Sequence, residues 1–383
     1  MKTNKIIILS LLFITVLIIG SFLLTLNSFN SINYIASSNI ENNNVNDMES
    51  SNVNNINGIN GIHSSAIEGH KIVVTDKNNQ KHNYIIKGVC YSRGEYSRLF
   101  SESYENDIGK LKSINANSIR TYNPLAIYDD NDNIDHDATT QMLDRFAEEN
   151  ISAIVGFGSA EIEGGDLNGK QVNKEFYKEY ISKYANHPAI LGWAFGNEYN
   201  YHYNEWFDSK EEWMNILSEA VKNTKEISPD KIVTTVHGEI PSEDELNEYN
   251  NLGIDIVMLN IYRGESFFDL FDSWKMRTSN IKEQPLVISE FGRSSKGSFG
   301  EDTSTSQANT IDKLWNEIIS NSDISSGGYV FELNDESWKG EESNSIIIGS
   351  ESHLGVFLDE SGDPVKDAKE SAKVLSKLWN GTL

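Results

Sequence analysis

Ile190-Leu-Gly-Trp-Ala-Phe-Gly-Asn-Glu198 is a short run of apolar and small residues that carries polar side chains only at its end. It lacks the strict polar–apolar alternation of a half-exposed strand. It therefore reads as a strand buried on both faces, as parallel sheets require. Seven comparable segments read the same way: Tyr84–Tyr91, Ser118–Asn123, Ser152–Gly158, Ile232–His237, Asp255–Tyr262, Pro285–Phe291 and Gly327–Asn334. Helical patterns lie between them at Asp107–Ser113, Ala138–Glu149, Lys174–Tyr184, Lys210–Glu226, Phe267–Ser279 and Thr305–Ile319, and Pro364–Leu378 follows the last strand. Short buried strands alternating with longer helices predict parallel βαβ units. Eight strands over about 315 residues match an α/β fold of the (β/α)8 TIM-barrel type. An open doubly wound sheet is the competing reading. It would carry a Gly-rich phosphate turn after its first strand, and Gly88-Val-Cys-Tyr-Ser-Arg-Gly lacks that spacing.

The chain has 383 residues and a formal net charge of −25. That charge repels phosphate backbones, so nucleic acid is excluded as an expected partner. Cys90 is the single cysteine, so no intrachain disulfide can form. His63, His70 and His82 lack zinc-ligand spacing, and neither metal nor cofactor is expected.

Residues 1–27 differ from the rest. Lys2 and Lys5 precede an uncharged run of 21 residues, Ile6 to Leu26. A secretory apolar region is about 7–15 residues long and a spanning helix about 20, so the run reads as an uncleaved signal-anchor. The competing reading is a signal peptide cut near Ala36. No Lys or Arg occurs between Lys5 and Lys71, which keeps the N-terminal side cytoplasmic and the remainder extracellular, held at the cell membrane by a single pass. Residues 28–66 are rich in Asn and Ser and read as a flexible linker reaching on the order of 30–35 Å. Residues 67–383 form the globular domain.

Active residues of a barrel of this type sit at the carboxyl ends of its strands. Those ends collect Arg120, Tyr122, Asn197, Glu198, His237, Tyr262 and Glu290 on otherwise apolar strands. Ionisable groups there are costly unless paired. Glu198 and Glu290, on strands four and seven, read as a catalytic pair, with salt-bridge partners as the alternative.

The segments Trp193-Ala-Phe-Gly-Asn-Glu198 and Leu286-Val-Ile-Ser-Glu-Phe-Gly292 resemble the two signatures of retaining glycoside hydrolases of clan A. Trp193 to Glu198 and Gly327-Gly-Tyr-Val-Phe-Glu332 are similar to the family 2 catalytic barrel. Lys87-Gly-Val-Cys-Tyr91 and Asn117-Ser-Ile-Arg-Thr-Tyr122 are similar to family 72, the β-1,3-glucanosyltransferases. The chain departs from family 2 in lacking preceding β-sandwich domains and in having Phe331 where a tryptophan is usual. It departs from family 72 in its single cysteine.

The resemblance implies Glu290 as nucleophile and Glu198 as acid/base, about 5–5.5 Å apart for retention. It implies that Arg120 and Tyr262 donate to Glu290, that Asn197 bonds the sugar 2-hydroxyl, and that Glu198 has a raised pKa. Among the remaining candidates, Tyr91 and Tyr122 read as lining the sugar or as packing. His237 reads as a substrate contact or a core-capping group. Trp338, in the long segment after strand eight, reads as a cleft wall or part of a surface insertion. Glu332 and Asp335 read as contacts to substrate or to a structural cation. Cys90 and Tyr91 alternate on one strand, so one faces inward and the other faces the helices.

The expected function is double-displacement cleavage of a β-linked oligo- or polysaccharide. Two alternatives stand beside it: a membrane-held transglycosylase remodelling envelope polysaccharide, and a catalytically silent carbohydrate-binding barrel.

Overall fold

The computed structural model describes residues 61–93, 100–129, 133–158, 174–339, 344–345 and 349–380. Its centre is a closed barrel of eight parallel strands: β1 (Ile86–Cys90), β2 (Ser118–Arg120), β3 (Ser152–Phe157), β4 (Ile190–Asn197), β5 (Ile232–Gly238), β6 (Ile256–Asn260), β7 (Leu286–Phe291) and β8 (Ser325–Val330). Each strand pairs with the next in sequence. β8 returns to β1 through the register Gly327↔Ile86 to Val330↔Val89.

Around the barrel lie α1 (Phe100–Ser113), α2 (His136–Glu148), α3 (Lys174–Tyr184), α4 (Lys210–Ile227), α5 (Glu243–Asn251), α6 (Leu270–Ile281), α7 (Ser304–Ser320) and α8 (Glu370–Trp379). Local chemistry starts several of them. Asp135 accepts from the backbone N–H groups of Asp137 and Ala138 at the head of α2, and Ser209 accepts from Glu212 N–H at the head of α4. Ser242 and Glu245 form a reciprocal capping box that opens α5.

The strands are buried on both sides because two cores meet at the barrel wall. Outside it, Trp193, Trp213, Trp274, Trp315 and Trp379 lie fully buried against the helices. Inside it, Ile86, Cys90, Ile154, Leu191, Ala194, Val236, Met258, Val287 and Tyr329 fill the lumen. Each Val, Leu, Ile or Met side chain among them contributes roughly 1.5–3 kcal/mol by burial. The lumen is therefore packed, and only its carboxyl end is available for chemistry.

The opposite end is closed by a three-stranded antiparallel sheet, Ile62–Glu68, Lys71–Asp76 and Lys81–Tyr84. Ile62, Ile72, Val74 and Tyr84 continue the lumen core. Ser65 Oγ bonds Leu191 O, and Ile232 N–H bonds Ser65 Oγ. Buried Lys231 donates to the carbonyls of Ile62 (2.9 Å) and Ile190 (2.8 Å), and burial drives its pKa down to about 7.

This sheet corrects the sequence reading at one boundary. Residues 61–66, expected in the linker, belong to the folded domain. The expected signal-anchor and residues 28–60 of the linker lie outside the described residues. Among the described residues, no helix is long and apolar enough to cross a membrane. Helix α1 starts earlier than expected, and α5 was not expected at all. α8 starts at Glu370 instead of Pro364 because buried Asp367 accepts from Ser361 and Gly362 and pairs with Lys110 at 3.0 Å, holding 361–367 as a turn.

Candidate active site

Glu290 occupies the end of β7. Regular alternation would send only one of Ser289 and Glu290 inward. The pairing register shifts on both sides of β7 near this point, so both side chains reach the barrel mouth. Ser289 Oγ donates to Asn260 Oδ1 at 2.8 Å. Glu290 receives three donors: Arg120 Nη1 (2.9 Å) and Tyr122 hydroxyl (2.7 Å) on Oε1, and Tyr262 hydroxyl (3.0 Å) on Oε2. Bonds of this kind fix the orientation of the carboxylate.

Glu198 follows β4. Gly196 has φ +76° and the β4–β5 register shifts between Phe195 and Asn197. A Cβ on Gly196 would approach the Trp213 ring to 2.8 Å, so only glycine fits this turn. The displaced backbone carries Asn197 and Glu198 over the mouth, with Glu198 itself in the left-handed region (φ 56°). Asn197 Oδ1 accepts from Arg120 Nη2 (2.6 Å) and Asn260 Nδ2 (3.1 Å). The side chains of Arg120, Asn197, Asn260 and Glu290 thus form one hydrogen-bonded network.

The pKa of Glu198 is pushed up to about 7, first by burial and then by the negative charge of Glu290; Asn260 and Arg120 oppose the shift. One carboxylate is thus clamped by three donors, and its neighbour is set to hold a proton near neutrality.

The remaining expected residues divide. Tyr122 is at the mouth as a hydrogen-bond donor to Glu290, its ring 4.5 Å from the Arg120 guanidinium carbon. Trp338 is exposed in the turn Ser337–Lys339, beside the Lys339 ammonium. Tyr91 is a correction. Cys90 takes the inward position, so the Tyr91 side chain enters the helical layer, packing on Phe100 and Phe146 and donating its hydroxyl to Asp107 at 2.8 Å. His237 is a second correction. Val236 faces the lumen, which turns the imidazole outward to Tyr249 and Glu245 of α5, with Nδ1 on the Glu239 carbonyl at 3.0 Å.

Glu332 and Asp335 face ammonium groups: Lys339 lies 3.5 Å from Glu332, and Lys369 lies 2.6 Å from Asp335. Among the described residues, no group of His, Cys, Asp and Glu side chains is arranged to hold a metal.

Sequence reasoning missed Asn260, which ties Ser289 to Asn197 and lies against Glu198. Its place two residues after inward-facing Met258 was the signal that could have found it.

Fold and site together define a (β/α)8 barrel with a paired-glutamate mouth of the glycoside hydrolase type. Residues 95–319 match the model of glycosyl hydrolases family 2, TIM barrel domain, and the chain belongs to that family. The match bears on the family 2 half of the resemblance and not on the family 72 half. No curated protein matches the chain.

Similar solved structures include the β-galacturonidase of Eisenbergiella tayi bound to galacturonate (18% identity, TM-score 0.58, covering 84% of this chain and 54% of that one). A β-D-glucuronidase from Dictyoglomus thermophilum has the same identity and coverages, with TM-score 0.56. A β-glucuronidase from Ruminococcus gnavus is 17% identical, with TM-score 0.56, covering 82% and 51%. At these identities the likeness is one of fold. The chain spans about half the length of these relatives.

Proposed function

We propose that this protein is a retaining β-glycosidase in which Glu290 is the nucleophile and Glu198 the acid/base. The observation that supports this most is the unequal treatment of the two carboxylates: three donors on Glu290, and a pKa of about 7 on Glu198.

In the first step an oxygen of Glu290 attacks the anomeric carbon. The glycosidic C–O bond breaks, its electron pair stays on the leaving oxygen, and that oxygen takes the Glu198 proton. In the second step Glu198 removes a proton from water. The water oxygen attacks the anomeric carbon and the ester to Glu290 breaks, restoring both groups. Neutralising Glu290 in the intermediate lowers the Glu198 pKa, which turns the acid into a base. Asn197 is held by Arg120 and Asn260 through its oxygen, which orients its amide to donate to the sugar 2-hydroxyl. That bond strengthens as positive charge develops at the anomeric centre.

The substrate is a β-linked oligo- or polysaccharide. The relatives of similar fold act on uronides by name, so β-glucuronides and β-galacturonides belong in the test panel beside neutral β-glycosides. Trp338 is proposed to wall the substrate cleft. Attachment to the cell membrane with the barrel outside rests on the sequence of residues 1–27 alone, and fractionation of cells with and without that segment tests it.

The deciding experiment is trapping with a 2-fluoro glycoside of the best panel sugar, followed by peptide mass spectrometry. A covalent glycosyl group on Glu290 is expected. A label on another residue, or full activity in Glu290→Ala, refutes the assignment. The silent-barrel alternative fails on the same label.

A further inference from the structure

From Tyr199 to Phe207 the chain places five aromatic residues just after Glu198, and the structure uses them unequally. Tyr199 is buried among the rings of Trp206 (5.2 Å), Phe207 (5.4 Å) and Trp213 (4.6 Å). The Tyr203 hydroxyl bonds that of Tyr249 at 3.1 Å. Trp206 stacks on His202 with ring centroids 4.0 Å apart. Tyr201 is the exception, with 56% of its surface open to solvent.

That exposure is not slack. Tyr201 N–H bonds Glu198 O at 3.0 Å. The preceding Asn200 locks the turn onto β5 with a reciprocal pair, Nδ2 to Gly238 O (3.1 Å) and Gly238 N–H to Oδ1 (2.8 Å). The ring lies so close on Gly238 that a Cβ there would come within 2.2 Å of it. Beside it, Glu239 holds Arg263 in a two-bond pair (2.8 and 3.0 Å), and Arg263 is tied further to Phe267 O at 3.0 Å. A rigid aromatic face with a fixed ion pair next to it therefore extends from the Glu198 side of the mouth. Tyr122 and Tyr262 instead serve Glu290.

We propose that Tyr201 is the stacking platform for the sugar on the leaving-group side of the scissile bond, with the Glu239–Arg263 pair meeting that sugar's hydroxyls. The inference rests on the glycosidase reading above. In that reading Glu198 hands its proton to the leaving oxygen, so the surface that begins three residues later faces the departing sugar. A pyranose presents an apolar C–H face that matches an exposed ring, and a ring already immobilised loses little freedom on binding. Tyr201 is then a specificity-determining residue that selects a glycan over a glycoside with a small leaving group.

The test compares Tyr201→Ala and Tyr201→Phe on two substrates of the same sugar, a β-linked disaccharide and a β-glycosyl fluoride. Fluoride is too small to reach the platform and leaves without acid assistance. For Tyr201→Ala, kcat/KM on the disaccharide is expected to fall about 5–10-fold, carried mainly by KM, as the loss of one aromatic contact predicts. The fluoride should change less than about twofold, and Tyr201→Phe should stay within about twofold on both. Equal losses on the two substrates, no loss on the disaccharide, or a Tyr201→Phe loss as large as that of alanine each overturns the proposal. A wild-type enzyme that neither turns over the fluoride nor is trapped at Glu290 overturns the glycosidase reading itself, and this inference with it.

Discussion

Replacing Glu198 by Gln should stabilise the fold above neutral pH while removing acid catalysis. In the unfolded chain this carboxyl titrates near 4.5, and in the fold near 7. That difference corresponds to roughly 3 kcal/mol. Between those two values the native state holds a proton that the unfolded state has released. Stability therefore falls as pH rises from 4.5 to 7, and the cost is complete above 7. Glutamine keeps the oxygen that faces Asn260 and never ionises. Water entering the mouth discounts the figure, so Glu198→Gln should gain about 2–3 kcal/mol at pH 8.5. For a domain of this size that is roughly 3–5 °C in Tm. Urea denaturation of both proteins from pH 4.5 to 9 measures it, with the difference closing towards zero at the acid end. The same titration should appear as a basic limb near pH 7 in the wild-type kcat/KM profile. A pH-independent difference, or a variant less stable at pH 8.5, would mean that Glu198 is not held protonated by its surroundings.

Asn197→Ala should lower kcat roughly 10²-fold while KM shifts less than about threefold, because the proposed bond to the sugar 2-hydroxyl would matter most in the transition state; steady-state kinetics on an aryl glycoside shows the split. Tyr91→Phe should cost about 1–2 kcal/mol by leaving Asp107 one donor short, and should leave kcat unchanged, which denaturation and kinetics check side by side. Lys110→Met should destabilise by roughly 3–5 kcal/mol, since it strips buried Asp367 of its ammonium partner and leaves Asn334 Oδ1 without its 2.7 Å donor; chemical unfolding gives the value.

The barrel was legible in the sequence because its strands are continuous apolar runs, such as Leu286-Val-Ile ahead of Ser289 and Glu290. The closing sheet was not, because segments such as Lys81-His-Asn-Tyr84 bury one side chain among polar ones and carry no such run. Helix α5 escaped because only Leu246 and Tyr249 are buried along it, too few for an apolar stripe, although its capping box was present in Ser242-Glu-Asp-Glu245. Within the site, Glu198, Glu290, Arg120 and Tyr262 stood out as polar groups ending apolar strands. Tyr91 and His237 misled because a position at a strand end does not say which face of the wall a side chain takes. Register shifts at Gly196 and Ser289 decide that for the two glutamates, and such shifts depend on pairing partners distant in sequence.

The antiparallel sheet beneath the lumen has a practical consequence for handling the enzyme. Its first strand meets the starts of β4 and β5, where Ile62 N–H bonds Pro188 O and Ser65 N–H bonds Asp230 O. A tag or surface linkage placed upstream of residue 61 therefore joins the barrel at its base, and immobilised preparations made this way should keep an unobstructed mouth.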